Sequence, residues 1–143
     1  MVASATATPR TNPVKPLSIL VIDDEEDMRE LATFALEIDG RFTVLSASGG
    51  AEGVTMARTQ QPTAILLDWM MPDMGGAATL AALKSDATTA LIPVVVLSGA
   101  ARPGATGSFR FLGAHGALAK PFNPMTLAAE LRALLEDREH GSQ

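Results

Sequence analysis

Residues 64–72, AILLDWMMP, form an apolar run that contains one charged side chain, the carboxylate of Asp68. A short, uninterrupted apolar run is typical of a strand that is buried on both faces. The pattern places Asp68 at the C-terminal end of that strand, and ligands bind at this edge of an open α/β sheet. For one aspartate alone, capping of the next helix is the simpler interpretation. A functional interpretation requires matching groups at the ends of other strands.

The composition is that of one ordinary globular domain. The chain has 143 residues, of which 47% are hydrophobic and 19% charged, which excludes a disordered or collagen-like chain. No apolar stretch is long enough to predict insertion into a membrane. A net charge of -5 argues against direct binding of nucleic acid, which requires clustered Lys and Arg. The absence of cysteine fits a cytoplasmic location and excludes a thiolate zinc site.

Five short apolar segments alternate with segments of helical spacing, which predicts five strand–helix pairs in a parallel sheet covered by helices on both faces. We expect one α/β domain over residues 17–137, with a flexible tail at 1–16 and a C-terminal tail at 138–143. Asn123 is predicted to cap the last helix, with Pro124 at its first position. The predicted strands are residues 17–22, 43–47, 64–68, 94–97 and 117–119.

The segment between the fourth and fifth strands has an irregular pattern. It contains one proline and two glycines that are unfavourable inside a helix, so residues 100–113 are expected to form a late, short or mobile helix. Phe109 and Leu112 are at helical spacing and are predicted to be core residues. Phe111 lies off this stripe, and both an exposed partner contact and a core position remain open for it.

Four of the predicted strands end in polar residues that can act together. Strands one, three, four and five are followed by Asp23 with Asp24, Asp68, Ser98 and Lys120, respectively. Each residue has an ordinary explanation in helix capping, a turn or a solvated surface. Their joint placement on one edge of a parallel sheet favours a functional site over these separate explanations.

The three carboxylates predict a site for a hard divalent cation. In one pocket they would raise each other's pKa unless a cation neutralised them. Oxygen ligands without His or Cys favour Mg²⁺, with Asp24 and Asp68 as direct ligands and Asp23 acting through water. The backbone carbonyl of Met70 is a further candidate ligand. One oxygen of Asp68 then remains to attack a phosphoryl group and form an acyl phosphate.

The other strand ends supply donors for such a phosphoryl group. Lys120 offers a cation and Ser98 a hydroxyl, and the backbone N–H of Trp69 or Gly99 is an additional candidate. The sequence shows no evident general base, lid or deep substrate pocket. These features are typical of a site that is itself modified.

With this set of residues the chain resembles the receiver domain of response regulators, the chemotaxis-regulator-like phosphoacceptor of two-component signalling. The resemblance covers residues 17–136 and rests on four motifs that match in order and spacing. It implies a flavodoxin-like, doubly wound five-stranded parallel sheet of order 2-1-3-4-5 with five helices. The motifs are VIDDE at 21–25, LLDWMMP at 66–72, VLSG at 96–99, and GA at 113–114 followed by KPF at 120–122.

The resemblance also implies a role for each strand-end residue. Asp68 is the phosphorylation site, Asp23 and Asp24 belong to the acidic pocket for Mg²⁺, Ser98 is the switch hydroxyl, and Lys120 contacts the phosphoryl group. The peptide bond after Lys120 is expected to be cis. The implied phosphodonor is a sensor histidine kinase or a histidine phosphotransfer protein, and family members assist this transfer themselves. The downstream protein target and any phosphorylation-dependent dimerisation remain open.

Two departures from the family pattern affect the expected switch. Ala117 occupies the strand-five position where the family often has an aromatic residue that follows the switch hydroxyl, so the usual coupling is in doubt. The segment 100–113 is expected to carry the change instead, by becoming more ordered. Met70 and Ala100 occupy the positions that tune dephosphorylation, and neither can orient a water, which predicts a long-lived acyl phosphate.

Other classes of protein are compatible with part of the pattern. A small Mg²⁺-dependent phosphohydrolase of the haloacid-dehalogenase type has its nucleophile on strand one and a second Asp two residues later, where this chain has Glu25 after Asp23. A flavodoxin-like cofactor binder would need the acidic run 23–27 to bind phosphate. A receiver-like adaptor that works without phosphorylation stays open. No residues remain for a DNA-binding helix-turn-helix domain, so a stand-alone receiver and a piece of a larger regulator are both possible.

Overall fold

The computed structural model describes residues 17–99 and 105–141. Five strands and five helices alternate along this part of the chain, as the sequence predicts. The elements are β1 (Leu17–Ile22), α1 (Glu26–Glu37), β2 (Phe42–Ala47), α2 (Gly50–Gln60), β3 (Ala64–Asp68), α3 (Gly76–Ser85), β4 (Val94–Ser98), α4 (Ala105–Phe111), β5 (Gly116–Ala119) and α5 (Leu127–Gly141).

The strands form one parallel sheet in the order β2-β1-β3-β4-β5. This order confirms the predicted flavodoxin-like architecture. The register pairs Ile22 with Leu67, and Asp68 with Leu97. As a result the C-terminal ends of β1, β3 and β4 lie side by side, and the residues that follow them meet at one edge of the sheet.

Both faces of the sheet are covered, which explains the uninterrupted apolar runs. Ile19, Leu66 and Val95 point to a core layer shared with α1 and α5. Leu20 and Leu67 point to the opposite layer, which includes residues of α2, α3 and α4. Neighbouring residues of a strand face opposite sides of the sheet, so a strand covered on both faces has no polar alternation. Full burial of each large aliphatic side chain contributes about 1.5–3 kcal/mol.

The described part of the segment 100–113 contains helix α4 at Ala105–Phe111, and one of the two residues predicted to be in the core is not buried. Phe109 is 9% exposed, whereas Leu112 is 54% exposed. The reason is that α4 ends at Phe111, and Leu112 lies in the following turn, where its N–H donates to the carbonyl of Phe109. Phe111 is 91% exposed, in agreement with the surface alternative. The part of the predicted segment at 100–104 lies outside the described residues.

The last helix differs from its prediction at both ends. Helix α5 begins at Leu127, and Pro124 belongs to the turn before it. The side chain of Asn123 accepts a hydrogen bond from the N–H of Met125 at 2.8 Å, so it caps this turn. At its other end α5 continues to Gly141, into the segment predicted as a tail. Among the described residues, none of the helices has the length and apolar character needed to cross a bilayer.

Candidate functional site

Three carboxyl groups meet at the C-terminal edge of the sheet. Asp23 and Asp24 directly follow β1, and Asp68 is the last residue of β3. One carboxylate oxygen from each lies within 4.8 Å of the others. Asp23 and Asp68 are each 2% exposed, while Asp24 is exposed. The structure therefore brings together the three acids that the sequence pattern singled out.

Lys120 lies between the two buried acids. Its Nζ is 3.1 Å from Oδ1 of Asp68 and 3.2 Å from Oδ2 of Asp23. The lysine follows β5, next to β4 in the sheet, and its N–H donates to the carbonyl of Ser98 at 3.1 Å. The peptide bond between Lys120 and Pro121 is cis, as predicted. The ammonium group thus neutralises part of the negative charge of the pocket.

The loop after β1 is fixed by contacts that the sequence analysis did not identify. The N–H of Glu25 donates to Oδ1 of Asp23 at 2.9 Å, and Nη1 of Arg29 donates to the carbonyl of Asp23 at 2.9 Å. Glu25 also lies 3.8 Å from Nζ of Lys120 through its Oε1. Because one oxygen of Asp23 is used by its own loop, the other is directed at Lys120.

The pKa values of both central groups of the pocket are raised, but for different reasons. Burial raises the pKa of the Asp68 carboxyl; the hydrogen bond from Lys120 opposes this increase, and the negative charge of Asp23 adds to it. For Lys120, burial lowers the pKa, but the hydrogen bond to Asp68 and the charge of Asp23 outweigh burial and raise it. The lysine therefore stays charged, while ionised Asp68 lacks full compensation.

The remaining polar groups at the ends of β3 and β4 differ in their contacts. Ser98 is the last residue of β4 and is 2% exposed. The N–H of Met70 donates to Oδ1 of Asp68 at 3.4 Å. The N–H of Trp69 instead donates to the carbonyl of Leu97 at 2.9 Å, so this predicted phosphoryl donor is already used in the sheet. The Gly99 N–H and the Met70 carbonyl stay predictions.

Three oxygen ligands of this kind fit a hard divalent cation. The cluster contains carboxylates and no His or Cys, which matches the preference of Mg²⁺ for oxygen. The exposed position of Asp24 leaves one side of the cluster accessible to solvent, and Mg²⁺ retains several waters when it binds to proteins. The donor set is therefore compatible with the predicted ion.

The fold and this edge of the sheet define the class of protein. Residues 19–132 match the response regulator receiver domain family, and the chain belongs to that family. Receiver domains of response regulators are signalling domains of two-component systems, and the resemblance described from the motifs is confirmed.

Individual relatives include transcriptional and chemotaxis regulators. The chain is 34% identical over 118 residues to the phosphate regulon transcriptional regulatory protein PhoB of Pseudomonas aeruginosa, covering 82% of this chain and 51% of that protein. It is 33% identical over 128 residues to the response regulator Rre1 of Synechocystis, covering 90% of this chain and 55% of that protein. The chain thus spans about half the length of these curated relatives.

Solved structures show the same architecture. The chemotaxis response regulator CheY4 of Vibrio cholerae superposes with a TM-score of 0.75 at 28% identity, covering 84% of this chain and 99% of that structure. A putative response regulator from Chloroflexus aurantiacus also has a TM-score of 0.75, at 25% identity, with 85% and 99% of the two chains covered. The similarity extends over nearly the whole of each solved domain.

Proposed function

We propose that this chain is a phosphorylation-activated switch whose Asp68 accepts a phosphoryl group from the phosphohistidine of a sensor histidine kinase or a histidine phosphotransfer protein. The main support is the contact of 3.1 Å between Nζ of Lys120 and Oδ1 of Asp68 inside a cluster of three acids. A buried carboxylate with a lysine cation beside it is a nucleophile that has a charged donor ready for the incoming phosphoryl oxygens.

The proposed reaction moves one phosphoryl group between two side chains. An oxygen of the Asp68 carboxylate attacks phosphorus, and the bond between phosphorus and the imidazole nitrogen of the donor breaks. The imidazole leaves with the electron pair of that bond and takes up a proton, so it ends neutral. The product on this chain is an acyl phosphate at Asp68, and no further atom of the chain is consumed.

Lys120 and Ser98 are proposed to hold the transferred group. Lys120 is already within hydrogen-bond distance of Asp68, so its ammonium needs only to shift to an oxygen of the phosphoryl group. Ser98 ends β4, and its hydroxyl is the proposed switch that binds the phosphoryl group after transfer. Asp23 keeps Lys120 in place through its Oδ2 contact.

We further propose that Asp23, Asp24 and Asp68 hold Mg²⁺, with the Met70 carbonyl as an additional ligand. When bound, Mg²⁺ would neutralise negative charge on the phosphoryl group and the carboxylates. Because the Lys120 ammonium is shared by Asp68 and Asp23, it cannot fully compensate both acids at once. A second cation in the pocket would relieve the remaining repulsion.

The acyl phosphate is proposed to be long-lived. The side chain of Met70 is 76% exposed and carries no group that orients water for attack on phosphorus. Ala100, at the other tuning position, lies outside the described residues and is apolar. Slow hydrolysis suits a signalling domain, which has to persist long enough to meet its target.

The wider context of the switch is also a proposal. We propose that the receiver domain spans residues 17–137, with the C-terminal end of α5 continuing beyond it to Gly141. We also propose that phosphotransfer takes place in the cytoplasm, where a kinase has access to ATP. Its output is proposed to be an unidentified protein target, without direct contact to nucleic acid and without insertion into a membrane. Size-exclusion chromatography of phosphorylated protein tests whether phosphorylation also produces a dimer.

The direct test is intact-mass analysis after incubation with acetyl phosphate, with Mg²⁺ or with EDTA. The parent protein should gain the mass of one phosphoryl group only with Mg²⁺, and Asp68→Asn should gain none. Asp73→Asn is the matched control, because Asp73 is an exposed aspartate in the loop after the same strand. This control should be phosphorylated like the parent.

Each other outcome contradicts part of the proposal. An adduct that persists in Asp68→Asn would exclude Asp68 as the acceptor. No adduct on the parent protein would leave the phosphorylation-independent adaptor as the better interpretation. Steady turnover of a small phosphate ester, followed as released phosphate, would favour the phosphohydrolase alternative.

A further inference from the structure

An aromatic pair connects the residue after Asp68 with helix α4. The rings of Trp69 and Phe109 lie edge to face, with centroids 5.1 Å apart and an angle of 80° between their planes. This is a favourable geometry for two aromatic rings. Trp69 is the only tryptophan of the chain. The pair therefore links the residue next to the proposed phosphorylation site with α4, the helix that connects β4 to β5.

The backbone of Trp69 is held on two sides. Its N–H donates to the carbonyl of Leu97 in β4, and its carbonyl accepts a hydrogen bond from the N–H of Gly76 at 3.0 Å. Gly76 packs so closely that a Cβ atom there would lie 2.6 Å from the Cα of Trp69. Trp69 is thus fixed to the ends of β3 and β4 through its backbone and contacts Phe109 through its ring.

Helix α4 depends on Phe109 for its position. Among the side chains of α4 that the structure describes, at residues 108–111, Phe109 is buried and the other three are exposed. The helix has seven residues, so it contains few hydrogen bonds of its own. The carbonyl of Phe109 also accepts the N–H groups of Leu112 and Ala114, which close the turn after the helix. Phe109 is therefore the main contact of the described part of α4 with the core.

Phe109 is also in the same core layer as Ala117. Both pack in the cluster of buried residues that includes Trp69 and Ala114. Ala117 carries no ring, and the aromatic side chains among the described members of this layer are Phe109 and Trp69. The only ring-to-ring contact of the described residues is the one between these two side chains.

From these contacts we infer that the Trp69–Phe109 pair couples the state of Asp68 to the position of helix α4. The inference rests on the proposed phosphorylation of Asp68 and adds the route by which it is read. Phosphorylation rearranges the ends of β3 and β4, the Trp69 ring moves with them, and Phe109 transmits the change to α4. The coupling needs no aromatic residue on β5, where this chain has Ala117.

The test compares the parent with Phe109→Leu, with and without Mg²⁺ and the phosphoryl analogue beryllofluoride. Leucine keeps the buried apolar contact but removes the ring. The matched control is Phe111→Leu, which removes a ring from the same helix at a position that is 91% exposed. Fluorine NMR measures binding of the analogue, and hydrogen exchange measures protection of residues 108–113. Circular dichroism verifies folding, and Phe109→Met replaces the leucine variant if that variant is unfolded.

In the parent and in Phe111→Leu, the analogue should slow exchange of residues 108–113 by about fivefold, the effect expected for one aromatic pair. In Phe109→Leu the analogue should still bind, but the slowing should fall below about twofold. Two results would overturn the coupling and leave the proposed function standing. In the first, the analogue binds and slows exchange equally in Phe109→Leu and in the parent. In the second, the analogue binds to the parent without slowing exchange. Failure of the parent to bind the analogue overturns the proposed function and the inference with it.

Discussion

Replacement of Lys120 by methionine should make the free protein less stable and more dependent on a divalent cation. Nζ of Lys120 is 3.1 Å from Asp68 and 3.2 Å from Asp23, and the side chains of both acids are 3% exposed. Removing one partner of a buried ion pair costs about 3–5 kcal/mol. We expect about 3 kcal/mol near neutral pH, because Lys120 is itself 19% exposed and Asp68 can take up a proton.

Thermal unfolding with EDTA and with Mg²⁺ measures this effect. A loss of this size lowers Tm by about 10 °C for a domain of this length. Saturating Mg²⁺ should raise Tm more in Lys120→Met than in the parent, because in the parent the ammonium already neutralises part of the charge of the acids. Lys84→Met is the matched control, since Lys84 donates to the backbone carbonyls of Ala90 and Ile92 at the opposite edge of the sheet.

The control should lose stability without any extra response to Mg²⁺. Equal stability of Lys120→Met and the parent in EDTA would show that the two buried carboxylates do not need the ammonium. Equal stabilisation of Lys84→Met and Lys120→Met by Mg²⁺ would show that the ion does not replace the lysine in this pocket.

Three further predictions concern single positions. Because the pKa of Asp68 is raised in the folded protein, folding favours the neutral form of this carboxyl. The resulting stabilisation is complete below the unfolded-state pKa of about 3.9 and is lost as pH rises through the folded-state pKa. Asp68→Asn should therefore be more stable than the parent near neutral pH, and this difference in stability should shrink towards about pH 4. A difference in Tm that does not change with pH would contradict this prediction. Ser98→Ala should slow phosphorylation by acetyl phosphate about tenfold, because it removes one hydrogen bond to a charged group. An unchanged rate of adduct formation in a time course of intact mass would exclude a role of this hydroxyl in the transfer. Gly50→Ala should cost about 1–3 kcal/mol in chemical denaturation, since a Cβ there overlaps the buried hydroxyl of Thr79, whereas Gly49→Ala, with nothing within 4 Å of its Cβ, should cost less than about 1 kcal/mol.

The strands were predictable because each one carries its own pattern. A run such as residues 64–68 is buried on both faces, so its apolar character needs no knowledge of the neighbouring strands. Helical spacing was less informative where the helix is short. Leu112 is three residues after Phe109, but α4 ends at Phe111, and the turn that follows places Leu112 at the surface. A spacing rule holds only as far as the helix continues.

The partner of a backbone N–H group at a strand end also depends on the neighbouring strand. The N–H of Trp69 was a candidate donor to a phosphoryl group because it follows Asp68. In the structure the pairing of β3 with β4 continues one residue past the end of β3, so this N–H bonds to the carbonyl of Leu97. Strand length is a local property, whereas the extent of pairing is set by both strands together.

The amino-acid sequence alone shows which chemical groups lie at the strand ends: acids after β1 and at the end of β3, a hydroxyl at the end of β4 and a lysine after β5. Parallel pairing brings such ends to one edge, whatever the details of the loops. Two contacts are visible only in the folded chain: Lys120 donates a hydrogen bond to Asp23, 97 positions away, and Trp69 packs against Phe109. These contacts depend on strand register and loop conformation, which no local pattern contains.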